Sequence, residues 1–241
     1  CADGYKNFNK FASELKNFKI IFKINFEKYR ETKDIKKLIV RNLFISKSKK
    51  FEAILIHNIR YTSLKKLTSF IIFLKEIKKL KLTKKIGLSI YGLNELYKIE
   101  KTNLNVDIIQ IPLNIFDKTF TNEKLIYKFK KKGTQFYARS IFLQGILLED
   151  IDYLPKYFLK WKKLFKQWDD WHVKKKTNKL NSCINFIDNI KFIDKVIIGI
   201  NHLNQLKEIL SVKKSDYPKK ILSKNQKLIK PYLWNLKKNE K

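Results

Sequence analysis

The feature that most restricts this chain is a repeated alternation of short β-branched runs with longer amphipathic stretches. Runs rich in Ile, Val, Phe and Tyr predict strands over residues 18–25 (FKIIFKIN), 51–58 (FEAILIHN), 84–91 (KKIGLSIY), 106–112 (VDIIQIP), 134–140 (TQFYARS) and 195–200 (KVIIGI). Between them, apolar residues recur at helical spacing over residues 8–17, 34–44, 63–80, 122–132 and 203–210, and one long helical stretch is expected over 155–190. Asp34, Ser63 and Asn122 stand where an N-cap or first-turn residue is expected. Strand alternating with helix, without hairpin signals, predicts a parallel α/β architecture. An open doubly wound sheet and a closed (β/α)8 barrel both fit this alternation. No G-x-G-x-x-G follows the first strand, which counts against a dinucleotide-binding open sheet. One domain is expected over residues 1–241, with a helical insert at about 147–175 and a basic, polar tail at about 215–241 lying along the outside.

Composition sets further bounds. A chain of 241 residues is long enough for a real core. Its net charge of +32 invites a nucleic-acid or anionic-membrane reading. Nearly all of that charge is lysine, however, spread along the chain, and arginine occurs only at Arg30, Arg41, Arg60 and Arg139. A dedicated nucleic-acid binder is expected to use more Arg, whose planar fork suits phosphates and guanines. The charge is therefore attributed to biased composition, and no specific nucleic-acid partner is expected. No apolar run reaches the ~18 residues of a membrane span. Cys1 and Cys183 give neither a disulfide framework nor metal-ligand spacing, no metal is expected, and the expected location is the cytoplasm.

In parallel α/β folds the functional residues sit at the C-terminal ends of strands. Those ends carry Lys23, then His57, then Ser89, then Gln110, then Arg139 and Ser140, then Gly199 and Asn201, while Tyr5 lies in a loop opened by Gly4. Lys, His and Tyr on one rim form an acid/base set. A phenol is a poor acid at neutral pH, and a nearby ammonium makes it a better proton donor. A histidine within hydrogen-bond reach orients a carbonyl. Each residue also has a plainer reading. Lys23 could extend its ammonium to solvent, His57 could be a satisfied core histidine, and Gln110 could meet a buried side chain instead of a ligand. His172 and His202 are assigned to no chemistry, and Asp150 and Asp152 are expected to be caps or solvated loop residues.

The order of these segments resembles the aldo/keto reductase family. ADGY (2–5) is similar to the segment ending in that family's catalytic tyrosine, IIFKIN to the strand carrying its lysine, and ILIHN to the strand ending in its histidine. DIIQIPLNIFD, ARSIFLQGILL and VIIGINHLNQLKEIL resemble later strands and the last helix. The resemblance implies a (β/α)8 barrel, NADPH or NADH as cofactor, and reduction of an aldehyde or ketone, a small-molecule carbonyl substrate. It implies Tyr5, Lys23 and His57 as catalytic residues. It further implies Ser89 and Gln110 at the nicotinamide carboxamide, Arg139 and Ser140 near the ring and pyrophosphate, and Gly199, Asn201 and Gln205 at the adenosine end. RSIFLQGILL is similar to members found alongside sugar and surface-polysaccharide biosynthesis, which implies a sugar-derived carbonyl. The family's catalytic aspartate would fall before Cys1, as would the first strand and helix and most of the second strand. An N-terminally truncated barrel is therefore expected, with a catalytically inactive barrel or fragment keeping part of the cofactor site as the alternative.

Overall fold

The computed structural model describes residues 14, 17–29 and 31–236. Its six strands are β1 (Ile21–Ile24), β2 (Phe51–His57), β3 (Thr83–Ser89), β4 (Ile108–Pro112), β5 (Gln135–Arg139) and β6 (Ile193–Val196). Among the described residues they lie in one sheet in chain order. The pairings β1–β2, β2–β3 and β3–β4 are parallel. Sequential parallel strands need crossover helices, and α1 (Thr32–Ile45), α2 (Leu64–Lys79), α3 (Leu93–Lys101) and α4 (Lys124–Lys131) supply them. In the C-terminal part come α5 (Lys162–Lys175), α6 (Lys179–Asp188), α7 (Leu203–Leu210) and the single turn α8 (Gln226–Ile229).

The described residues form two compact units. The first comprises those up to Ile111 together with Lys124–Tyr137, and the second Pro112–Glu123 together with those from Ala138 onward. In the first unit β2 buries Ala53, Ile54, Leu55 and Ile56 together, so both faces of the strand are covered. Helix α2 buries Leu67, Phe70, Ile71, Leu74 and Ile77, a 3.6-residue stripe, and Ser63 caps it by accepting from the Lys66 N–H at 3.3 Å. Gly87 is required by its neighbours: a Cβ there would stand 2.1 Å from the Ile108 carbonyl oxygen and 2.8 Å from Leu55 Cδ2.

Several boundaries differ from the sequence expectation, for local reasons. Strand β1 stops at Ile24 because the Asn25 side chain accepts from the Glu27 N–H at 3.2 Å and turns the chain into a short 3-10 turn. Strand β6 covers 193–196 rather than 195–200; Ile197 still donates to the Ala138 carbonyl at 2.8 Å, and beyond it the chain leaves the sheet. The expected helical stretch 155–190 is divided. Lys176, in the left-handed region at φ 49°, ends α5, and Asn178 caps α6 by accepting from the Asn181 N–H at 2.7 Å. Helix α3 is absent from the sequence reading.

The tail also departs from expectation. Leu228 and Ile229 are buried, and Lys230 forms a buried ion pair with Asp117 at 2.8 Å. A basic segment is thus anchored in the second unit through two apolar side chains and one paired charge. No described helix is long and apolar enough to cross a membrane.

Candidate active site

Residues paired in register across parallel strands share a face. His57 pairs with Ser89, and Ser89 with Gln110, so the ends of β2, β3 and β4 present His, Ser and Gln side by side. Lys23 pairs with Leu55, two residues before His57, and therefore stands on the same face. Its chain reaches far enough for Nζ to donate to Gln110 Oε1. Ser89 Oγ approaches the same oxygen at 3.4 Å.

That geometry settles the amide. An ammonium only donates, so Gln110 turns its oxygen toward Lys23 and its NH2 group away. Gln110 is fully buried, and its Nε2 has no hydrogen-bond partner. Buried donors are almost always satisfied, so this one calls for an acceptor oxygen from outside the protein. The residue after β2 carries a second polar atom without a partner: Asn58, at φ 64°, buries its Oδ1.

His57 Nε2 lies 3.0 Å from the Tyr91 hydroxyl. The Arg60 guanidinium sits over the Tyr91 ring, 4.9 Å from its centroid. Helix α3 holds the loops carrying both residues. Glu95 Oε2 accepts from the Tyr91 N–H at 2.7 Å and the Gly92 N–H at 2.9 Å, while Lys98 Nζ donates to the carbonyls of Ile59, Arg60 and Thr62 at 3.3, 3.2 and 2.8 Å. Burial raises the Glu95 carboxyl above the ordinary carboxylate range, against the pull of the two N–H donors and of Arg60 and Lys98. Tyr91, Glu95 and Lys98 were missed in the sequence. Tyr91 reads as the end of a strand, but the i, i+3 pair Glu95 and Lys98 beside Leu96 and Ile99 marked a helix.

In the second unit a cleft of about 1250 Å³ is lined by Arg139, Ser140, Gly199, Asn201 and Gln205. These are the residues expected at the ring, pyrophosphate and adenosine end. Ser140 holds φ 58°, and Arg139 Nη1 donates to its hydroxyl at 3.3 Å. Gln205 Oε1 accepts from the Asn201 N–H at 2.8 Å and caps α7. Lys179 is neutralised by Asp150 at 2.7 Å and Asp169 at 2.8 Å, so Asp150 fixes an element rather than acting as a free carboxylate. His172 forms part of the wall. Its Nδ1 lies 2.6 Å from the Trp168 carbonyl, so that nitrogen carries the proton, and Nε2 accepts from Ser182 Oγ at 2.8 Å. It is a satisfied core histidine. Tyr5 lies outside the described residues. No group of His, Cys, Asp and Glu suited to a metal ion occurs among the described residues.

A family model described as "Aldo/keto reductase family" matches residues 7–230. The chain belongs to the aldo/keto reductase family. As a member it is an oxidoreductase, and the family's activity is NAD(P)H-dependent carbonyl reduction. Solved structures agree on the fold. The apo form of aldo-keto reductase AKR11C1 from Bacillus halodurans superposes with a TM-score of 0.68 at 15% identity, over 88% of this chain and 72% of that one. The holo form of the same protein gives 0.68 at 14% identity, over 88% and 73%. Gox0644 in its apo form gives 0.63 at 17% identity, over 86% and 70%. At such identities the likeness establishes the fold, so the six-stranded sheet of this aldo/keto reductase is of the (β/α)8-barrel type. A comparison with curated protein sequences finds no match.

Proposed function

We propose that this aldo/keto reductase reduces an aldehyde or ketone to an alcohol with NADPH or NADH, using Tyr5 as proton donor. The observation that carries this reading is the Gln110 amide. Its oxygen is held by Lys23 and Ser89, and its buried NH2 group lacks an acceptor, which suits the carboxamide oxygen of a nicotinamide. The bound dinucleotide supplies the hydride. Ser89 and Gln110 hold its carboxamide, and Arg139, Ser140, Gly199, Asn201 and Gln205 bind the remainder.

Tyr5 delivers a proton to the carbonyl oxygen as negative charge develops there. The Lys23 ammonium favours the phenolate form and so eases that transfer. His57 donates to the carbonyl oxygen and fixes its direction. The assignment of Tyr5 rests on the segment ADGY and that of the substrate class, a sugar-derived carbonyl, on the segment RSIFLQGILL. Tyr5→Phe tests the core of the proposal. Turnover of an aldehyde panel is expected to disappear while dinucleotide titration is unchanged; full turnover in that variant would refute the proton-donor role.

A further inference from the structure

Tyr91 is held at three points, one on its backbone and two on its side chain. Its backbone N–H is fixed by buried Glu95 at 2.7 Å, its ring lies under the Arg60 guanidinium at 4.9 Å, and its hydroxyl meets His57 Nε2 at 3.0 Å. Arg60 in turn is set by Lys98, which grips its carbonyl together with those of Ile59 and Thr62. We propose that Tyr91 is a positioning residue that sets the tautomer and ring orientation of His57. The proposal rests on the assignment of His57 to the substrate carbonyl made above.

The chemistry of the contact gives it a direction. A phenol O–H is a stronger donor than the N–H of a neutral imidazole, and a bare imidazole nitrogen is a good acceptor. Tyr91 therefore donates to Nε2, and the ring proton of His57 resides on Nδ1, which is then the nitrogen that donates to the substrate carbonyl. A ring whose proton is placed by a second group loses less freedom when substrate arrives, which is how a supporting residue contributes to binding. The cation over the aromatic face and the bonded backbone keep the hydroxyl from swinging away. Lys23 and Ser89 occupy adjoining positions of the same face and both contact Gln110, so Tyr91 is assigned to His57 and not to the carboxamide group.

Two readouts test this on the full chain. The three histidines, His57, His172 and His202, make nitrogen-15 NMR of the imidazoles direct, with His57→Gln giving the assignment. The Nδ1–H tautomer is expected to dominate at His57, and Tyr91→Phe is expected to turn it into a mixture. In steady-state assays the same variant should raise KM for the carbonyl about fivefold, the cost of one ordinary hydrogen bond, with little change in kcat and none in dinucleotide affinity. Should Tyr91→Phe fail to fold, Arg60→Met, which frees the ring but keeps the hydroxyl, should move both readouts the same way by less. An Nε2–H tautomer in the wild type, or a tautomer and KM indifferent to both variants, would overturn the proposal. A wild-type chain that reduces no carbonyl defeats the proposed function instead, and the tautomer alone then decides the role of Tyr91.

Discussion

The ammonium of Lys23 donates to the side-chain oxygen of Gln110, joining the first and fourth strands of the sheet across a sequence separation of 87 residues. Gln110→Glu keeps shape and strengthens the tie to Lys23, but removes the inward-pointing donor. The variant is expected to fold normally and to bind dinucleotide about tenfold more weakly, measured by quenching of tryptophan fluorescence. Equal affinity would detach Gln110 from cofactor binding.

Asp117 and Lys230 form an ion pair with both side chains almost fully buried. Asp117→Asn leaves an ammonium without its counter-charge in the interior. Removing one partner of a buried pair costs about 3–5 kcal/mol. The urea midpoint should fall accordingly, with early exposure of Trp234, whose indole N–H donates to the Leu228 carbonyl at 2.9 Å.

Burial lowers the pKa of His172 from its ordinary value of 6.5, and the nearby Lys179 charge acts in the same direction. Between that lowered value and 6.5 the unfolded chain binds a proton that the folded chain refuses. Stability from this residue is therefore full above pH 6.5 and declines as pH falls through the window below it. Denaturation midpoints taken from pH 8 to pH 5 should show this decline in the wild type. The decline should be smaller in His172→Gln, whose side chain does not titrate.

Gly87 accepts the close approach of the Ile108 carbonyl oxygen, 2.1 Å from where a Cβ would stand. The obstacle is backbone, which cannot rotate aside. Gly87→Ala should cost about 3 kcal/mol or more, and calorimetry should show a lowered Tm. An unchanged Tm would mean that β3 and β4 can part at this level without loss.

The strands were legible because parallel strands buried on both faces leave runs such as AILI and IIQI that no charged residue interrupts. The strand positions of Lys23, His57, Ser89 and Gln110 were legible in the same runs, and the register brings the last three into line. Other features depend on contacts that lie outside any local pattern. Lys230 is one of several lysines in the tail and is set apart from them by Asp117, 113 residues away. Helix α3 spans only nine residues, too few for its period to repeat often. The role of Glu95 and Lys98 emerges only when two loops from different strands fold over the same helix. Tyr91 likewise looks like one more aromatic strand residue until His57 is placed beside its hydroxyl.

Because Lys98 and Glu95 lie one turn apart on α3, the segments Ile59–Thr62 and Tyr91–Gly92 share a single mooring. Amide-proton exchange in the two segments should accordingly proceed at matched rates, as one opening unit, and Lys98→Met should accelerate both, including the segment that it never touches.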